Sequence, residues 1–268
     1  MTPLHLTPTS TRELVHLLIL QELADVRRGG GVTLKGGVNL RLFVGSPRYS
    51  EDMDLDGNAE GSANIRACVE RLFDDRDFTR RLQAFGIRGL DPGEGPNKST
   101  ETTFRYKFGV IGGGGVRYPT KVEVSFREHH VADEVVSEMP NRAILDAYGL
   151  HGFEVQHYAL DAAVRQKIQA LAGRREAQAR DVFDLCVLVP ATPAGALLDF
   201  LAENVAADHL REAHARALAI SYGEYLGQVI EFLEEPERAS QGTEDAWDEM
   251  RLRAAALIEA ILDRRGHE

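Results

Sequence analysis

Three aspartates at alternate positions, Asp52, Asp54 and Asp56, dominate the most chemically loaded run of the chain, Ser50-Glu51-Asp52-Met53-Asp54-Leu55-Asp56. On a β-strand alternate residues share a face, which puts the three carboxylates on one side and Met53 and Leu55 on the other. The apolar pair can then anchor the strand in a core while the acids line an open face. Two carboxylates ~4 Å apart repel by roughly 4 kcal/mol at an effective dielectric of about 20. Water or a bound cation has to offset that repulsion. Ligands that are all oxygen favour Mg²⁺ or Mn²⁺ over zinc. Taken alone the run also fits a solvated acidic turn, and it lacks the spacing and the twelfth-position Glu of an EF-hand.

Two other stretches bear on that choice. Upstream, Lys35-Gly36-Gly37 falls between a strand pattern and a helix pattern, where free backbone N–H groups can cradle phosphate. Downstream, Lys121-Val122-Glu123-Val124-Ser125-Phe126 alternates strictly. Val122, Val124 and Phe126 face a core, and Lys121, Glu123 and Ser125 share the other side. Glu123 can thus bring a third carboxylate to Asp52 and Asp54 from a neighbouring strand; an ordinary exposed strand face is the simpler alternative.

The elements needed to position these groups are legible in outline. Ser10-Thr11-Arg12-Glu13 reads as a capping box for a helix to about residue 27. Strands are expected at Val32–Leu34 and Met53–Leu55, with helical Val38–Phe43 between them. One long amphipathic helix is expected over 62–85, and a turn-rich loop over 86–100. Thr102–Val110 and Tyr118–Arg127 form a hairpin around Gly112–Gly115, with a further strand pair near 133–138 and 152–156. From Ala159 strand signals vanish, and helices are expected at 159–172, 178–189, 195–204, 207–219, 222–233 and 243–264. The fold class is therefore α+β, with one domain over 1–155 and an all-helical bundle over 156–268.

A Gly-Gly turn, a D-x-D strand and a later strand carboxylate together resemble the plan of the polymerase-β-like nucleotidyltransferases. More narrowly, KGGVNLRLFVGSPRYSEDMDLD resembles the opening motif of the AbiEii/AbiGii-type toxin nucleotidyltransferases, KGG-x-x-L-R followed by R-[FY]-S-x-D-h-D-h-D. Lys167-Ile168-Gln169-Ala170-Leu171, then Arg174, then Arg180-Asp181-Val182-Phe183-Asp184-Leu185, resembles the same family's K-h-x-A-L, R and R-D-h-x-D-L signature. The matched motifs span residues 35 to 185. One departure is Val38, where the family commonly carries a small hydroxyl residue.

The resemblance implies a polymerase-β-like domain followed by a helical domain that completes a nucleotide cleft. It implies Asp52 and Asp54 as a metal pair and Glu123 as the third carboxylate. Lys35, Gly36 and Gly37 would approach the phosphates, with Ser50 near the triphosphate. Lys167 and Asp181 would act from the helical half, and Asp184 would act or merely pair; an Arg180–Asp181 staple is the structural alternative. The implied activity is that of a toxin of a toxin–antitoxin or abortive-infection system. It would transfer NMP from an NTP, with Mg²⁺ or Mn²⁺, to an RNA acceptor, foremost the tRNA 3′ end, and would be restrained by an antitoxin. A small-molecule or protein acceptor, and a non-catalytic nucleotide-binding module, stay open.

Composition sets outer bounds. With 42 acidic against 31 basic residues the 268-residue chain carries a net charge of −11, which excludes a protein that coats nucleic acid indiscriminately. An RNA acceptor would need a local basic surface, for which Arg174, Arg175 and Arg180 are candidates. Only five of the basic residues are lysines, at 35, 98, 107, 121 and 167, and a Lys beside clustered acids is accordingly a mild flag. No apolar run approaches the ~18–20 residues of a membrane span. The opening residues lack the order of a secretory signal, and the isolated Cys68 and Cys186 suggest neither a disulfide framework nor a zinc site. A cytoplasmic location is expected. Gly112–Gly115 is not followed by the Lys-Ser/Thr of a phosphate loop, Ser46 has no His-Asp partners in sequence, and the adjacent His129-His130 would face opposite ways on a strand.

Overall fold

The computed structural model describes residues 6–25, 31–93, 100–127 and 134–266. Two compact units are present. One holds the chain up to Gly45 together with Tyr49–Tyr158; the other holds Ser46–Arg48 and the chain from Ala159. The sheet unit therefore runs to Tyr158, because the strand expected at 152–156 lies at Val155–Tyr158 and is hydrogen-bonded into the sheet.

The sheet unit begins with α1 (Pro8–Ala24). Its cap is Thr7, whose hydroxyl accepts from Ser10 N while Ser10 Oγ accepts from Thr7 N, so the box lies three residues ahead of the expected one. Pro8 explains the shift: it has no N–H to satisfy and its fixed φ suits the first helical position. Then follow β1 (Val32–Lys35), α2 (Gly36–Asn39), a π-helical turn (Leu40–Val44) and β2 (Met53–Gly57). The single helix expected over 62–85 is two, α3 (Ser62–Arg71) and α4 (Arg76–Ala84). Asp75 separates them by accepting from the N–H groups of Asp77 and Phe78, which starts a new helix. Inside the expected loop 86–100 lies a short strand, β3 (Gly89–Asp91). β4 (Thr103–Ile111), β5 (Arg117–Ser125), β6 (Val135–Glu138), α5 (Arg142–Ala147) and β7 (Val155–Tyr158) complete the unit.

The strands form one mixed seven-stranded sheet in the order β3-β4-β5-β2-β1-β7-β6. β2 runs antiparallel to β1 and parallel to β5, and β4 and β5 form the expected hairpin. One sheet face is core: Leu34, Met53, Leu55, Phe104, Tyr106, Phe108, Val122 and Val124 are buried together with Leu14, Leu17 and Leu18 of α1. Strand periodicity then commits Lys35, Asp54, Arg105, Lys107, Lys121 and Glu123 to the opposite face.

Among the described residues the second unit carries helices and no strand: α6 (Leu160–Gly173), α7 (Ala179–Leu188), α8 (Gly195–Asn204), α9 (Ala207–Ala219), α10 (Tyr222–Gln228), α11 (Glu235–Gln241) and α12 (Glu244–Arg265). The helix expected over 222–233 closes at Gln228 and is followed by a 3₁₀ turn, Ile230–Phe232. Trp247 is fully buried against Tyr225 at 4.4 Å and donates its indole N–H to Ile220 O. No helix among the described residues is long and apolar enough to cross a membrane.

Candidate active site

Strand register arranges the charged face in rows. One row crosses four adjacent strands: Lys35 of β1 is opposite Asp54 of β2, Asp54 is beside Glu123 of β5, and Glu123 is opposite Arg105 of β4. Cation, carboxylate, carboxylate and cation thus follow one another across the sheet. In the next row Lys121 is opposite Lys107, and Lys121 Nζ lies 3.0 Å from Asp52 Oδ2 and 3.8 Å from Glu123 Oε2. Arg105 Nε donates to Glu123 Oε2 at 2.7 Å.

The two central carboxylates titrate in opposite directions. Burial raises the Asp54 pKa; Glu123 and Asp52 push it further up, while Lys121 and Lys35 pull against them. Burial also opposes ionisation of Glu123, but the Arg105 hydrogen bond and the charges of Arg105, Lys121 and Lys35 outweigh it and hold the carboxyl below its ordinary range.

The glycine turn lies directly on Asp54. Gly36 has φ +70°, a conformation glycine adopts at little cost, and a β-carbon there would stand 3.0 Å from Asp54 Oδ2. Lys35, at the end of β1, is committed to Asp56 through a short ion pair, and Tyr158 donates its hydroxyl to the other Asp56 oxygen at 2.7 Å. Asp56 shares the parity of Asp54, yet it is 2% exposed. The expected open row of three acids is therefore two, with the third buried as the anchor of Lys35. Ser50 donates to Asp52 O at 2.8 Å, closing the turn that leads into β2.

A tether behind the face fixes the entry to both site strands. His16 Nε2 lies 2.8 Å from Thr120 Oγ1, and Thr120 donates to Glu51 O at 2.7 Å. The one hydroxyl hydrogen of Thr120 is thereby used, so His16 Nε2 is the donor. Burial, with Arg12 nearby, pushes the His16 pKa down to about 3.

In the helical unit the expected residues form a buried ion cluster. Lys167 Nζ lies 3.1 Å from Asp181 and 2.5 Å from Asp184. Arg48, from the segment that joins this unit, donates to both Asp184 oxygens through Nη2, at 3.1 and 2.9 Å. Burial disfavours the Asp184 charge, but Arg48 and Lys167 prevail and hold its pKa low. Asp181 Oδ2 faces Arg174 Nε at 3.4 Å, so Arg174 takes the place given to Arg180 in the staple. Sequence reading gave no role to Arg48, Arg105 or Tyr158. The motif resemblance did contain the Arg48 position, which was the available signal.

Asp52, Asp54 and Glu123 match a hard divalent ion in donor chemistry. Among the described residues, however, no three His, Cys, Asp or Glu side chains gather closely enough to hold a metal. Glu123 is turned to Arg105, and Lys121 reaches both Asp52 and Glu123. His129-His130 lie outside the described residues.

The mixed sheet sets the Gly-Gly turn against the D-x-D strand, with a third carboxylate in register, as the sequence motifs lead one to expect. The family profile described as "Nucleotidyl transferase AbiEii toxin, Type IV TA system" matches residues 18–264, and the chain belongs to that family. It is a nucleotidyltransferase toxin of a type IV toxin–antitoxin system. Its fold is similar to MenT4, a nucleotidyltransferase toxin of Mycobacterium tuberculosis H37Rv, with TM-score 0.62 and 17% identity over 94% of this chain and 84% of that one. JHP933 from Helicobacter pylori is also similar, with TM-score 0.54 and 18% identity over 97% and 94% of the two chains. No curated protein matches the chain.

Proposed function

We propose that this toxin transfers a nucleoside monophosphate from an NTP to an RNA acceptor, with the tRNA 3′ end as the principal target. The observation that carries the reading is the row Lys35–Asp54–Glu123–Arg105 with Gly36 packed onto Asp54. It brings a phosphate-approaching backbone and two carboxylates together on one face.

In this reading Asp52 and Asp54 hold Mg²⁺ or Mn²⁺, with Glu123 as the third carboxylate. Held by these carboxylates, the ion would lower the pKa of an attacking hydroxyl and offset negative charge on the α-phosphate and the leaving pyrophosphate. Gly36 and Gly37 present backbone N–H groups to the phosphates. Lys35, oriented by Asp56, adds positive charge, and Ser50 fixes the turn beside the triphosphate. Lys167 and Asp181 take the nucleotide-handling role implied by their motif. The helical half is read as a bundle serving the nucleotidyltransferase domain. The protein acts in the cytoplasm, where a cognate antitoxin restrains it.

Purified protein incubated with each α-³²P-labelled NTP, Mg²⁺ and total bacterial RNA tests the reading against Asp52→Ala. Label in a tRNA-sized band with wild type alone is the expected result, and it names the nucleotide. Label on a small molecule or on protein, with none in RNA, would replace the acceptor. Label in RNA with Asp52→Ala as well would overturn the site.

A further inference from the structure

Tyr158 is the last residue of β7 and of the sheet unit, and it is 2% exposed. Its two polar ends hold two different parts of the candidate site. The hydroxyl donates to Asp56 Oδ2 at 2.7 Å, while the other oxygen of that carboxylate, Oδ1, carries the ion pair with Lys35. The Tyr158 carbonyl accepts from Asn39 Nδ2 at 3.0 Å. Asn39 closes α2, the turn that opens with Gly36 and Gly37. Asn39 is fully buried and its Oδ1 has no hydrogen-bond partner among the described residues, so the bond from Nδ2 is what offsets burial of the amide. One buried tyrosine is thus bonded both to the partner of Lys35 and to the glycine turn.

The Lys35 ion pair is diagonal. In strand register Lys35 is opposite Asp54 and Thr33 is opposite Asp56, yet Lys35 Nζ pairs with Asp56, two residues along β2. That pairing needs Oδ1 of Asp56 turned towards the ammonium, and a carboxylate left to itself turns broadly about its Cβ–Cγ bond. The Tyr158 hydroxyl selects the rotation by taking Oδ2. We infer that Tyr158 is a positioning residue for the triphosphate of the NTP, acting through Asp56 to aim Lys35 at the phosphates that the Gly36-Gly37 backbone approaches. The Asn39 bond ties the backbone of Tyr158 to that same turn, so ammonium and turn are held in one fixed relation. The inference rests on the proposed transferase reading and deepens it by naming what sets the geometry of the phosphate cradle. The cradle holds the triphosphate before and during transfer alike, so its loss weakens NTP binding more than it slows turnover.

The test compares wild type, Tyr158→Phe, Lys35→Met and the double variant in label transfer from α-³²P-NTP to bulk bacterial tRNA, beside calorimetric titration with inorganic tripolyphosphate. Tyr158→Phe keeps the ring and removes only the hydroxyl. Its KM for NTP and its Kd for tripolyphosphate are each expected to rise about fivefold, the factor one ordinary hydrogen bond carries, with turnover at saturating NTP and the KM for RNA within about twofold of wild type. On the Lys35→Met background the same change should add nothing, because the residue through which Tyr158 acts is gone. A merely structural tyrosine would instead lower the melting temperature and the active fraction, leave the KM for NTP unchanged and act equally on either background. Asp56→Asn, which keeps an acceptor for the hydroxyl and removes the charge facing Lys35, should raise the same KM and serves if Tyr158→Phe does not fold. An unchanged KM for NTP and unchanged tripolyphosphate affinity, or a fivefold effect that persists without Lys35, would overturn the inference and leave the transferase reading intact. Wild type that labels no RNA would remove that reading, while the tripolyphosphate titration would still decide whether Tyr158 positions Lys35.

Discussion

Lys121 Nζ lies 3.0 Å from Asp52 Oδ2, so the first carboxylate of the D-x-D pair is met by a cation from the neighbouring strand. Unit charges ~4 Å apart interact by roughly 1–4 kcal/mol between bulk water and an effective dielectric of about 20. A divalent ion binding Asp52 and Asp54 has to work against that ammonium. Lys121→Met is therefore expected to bind Mn²⁺ roughly tenfold more tightly in the absence of nucleotide, within that energy range. Calorimetric titration of Mn²⁺ checks this, and weaker binding by the variant would mean that Lys121 supports the metal site.

Gly36 answers to two demands at once, a left-handed φ of +70° and the carboxylate of Asp54 3.0 Å from where a β-carbon would stand. Gly36→Ala is expected to lose about 1–2 kcal/mol of stability from backbone strain, and more if Asp54 is displaced. Urea unfolding measures the first effect. Label transfer measures the second and should fall by at least an order of magnitude.

Arg48 and Asp184 are a nearly solvent-free pair, with side chains 4% and 0% exposed. Removing one partner strands a buried charge, so Arg48→Ala is expected to destabilise the protein by about 3–5 kcal/mol. The double variant Arg48→Met/Asp184→Leu should recover much of that loss, because Lys167 keeps Asp181 as its partner. Paired chemical denaturation curves test this; a single variant as stable as wild type would show that the pair contributes nothing.

The neutral His16 makes stability depend on pH with a definite sign. Its folded pKa of about 3 lies below the ordinary value of 6.5, so between those limits the unfolded chain binds the extra proton. Stability contributed by the neutral ring is complete above about pH 6.5 and is lost as pH falls toward 3, at up to about 1.4 kcal/mol per pH unit. His16→Gln should flatten the stability profile between pH 6 and 4, to an extent set by denaturation at a series of pH values. An unchanged slope would place the proton uptake elsewhere.

Much of the site could be read from residue order because its logic is local. The strict alternation of Lys121–Phe126 put Glu123 on the charged face, and Lys35-Gly36-Gly37 announced a turn, since both follow from strand period and glycine chemistry. What stayed hidden was non-local. Nothing in the run Asp52–Asp56 tells that Tyr158, 102 residues on, closes over Asp56, or that β5 sets Glu123 beside Asp54 in parallel register. Arg48 found its partner 136 residues away. The break at Asp75 was legible in principle, as a capping aspartate, but the apolar spacing through Leu72 and Phe78 continues across it and conceals the stop.

Asp54 stands at the middle of the proposed site, between Lys35 and Glu123. Burial together with Glu123 and Asp52 raises its pKa, so its negative charge burdens the fold and should be retained for chemistry. Label transfer from α-³²P-NTP to RNA by Asp54→Asn, read beside its melting temperature, is the most direct test. At least a hundredfold loss of transfer is expected, with a melting temperature equal to or above that of wild type. Transfer within a few-fold of wild type would show that Asp54 has no part in the chemistry.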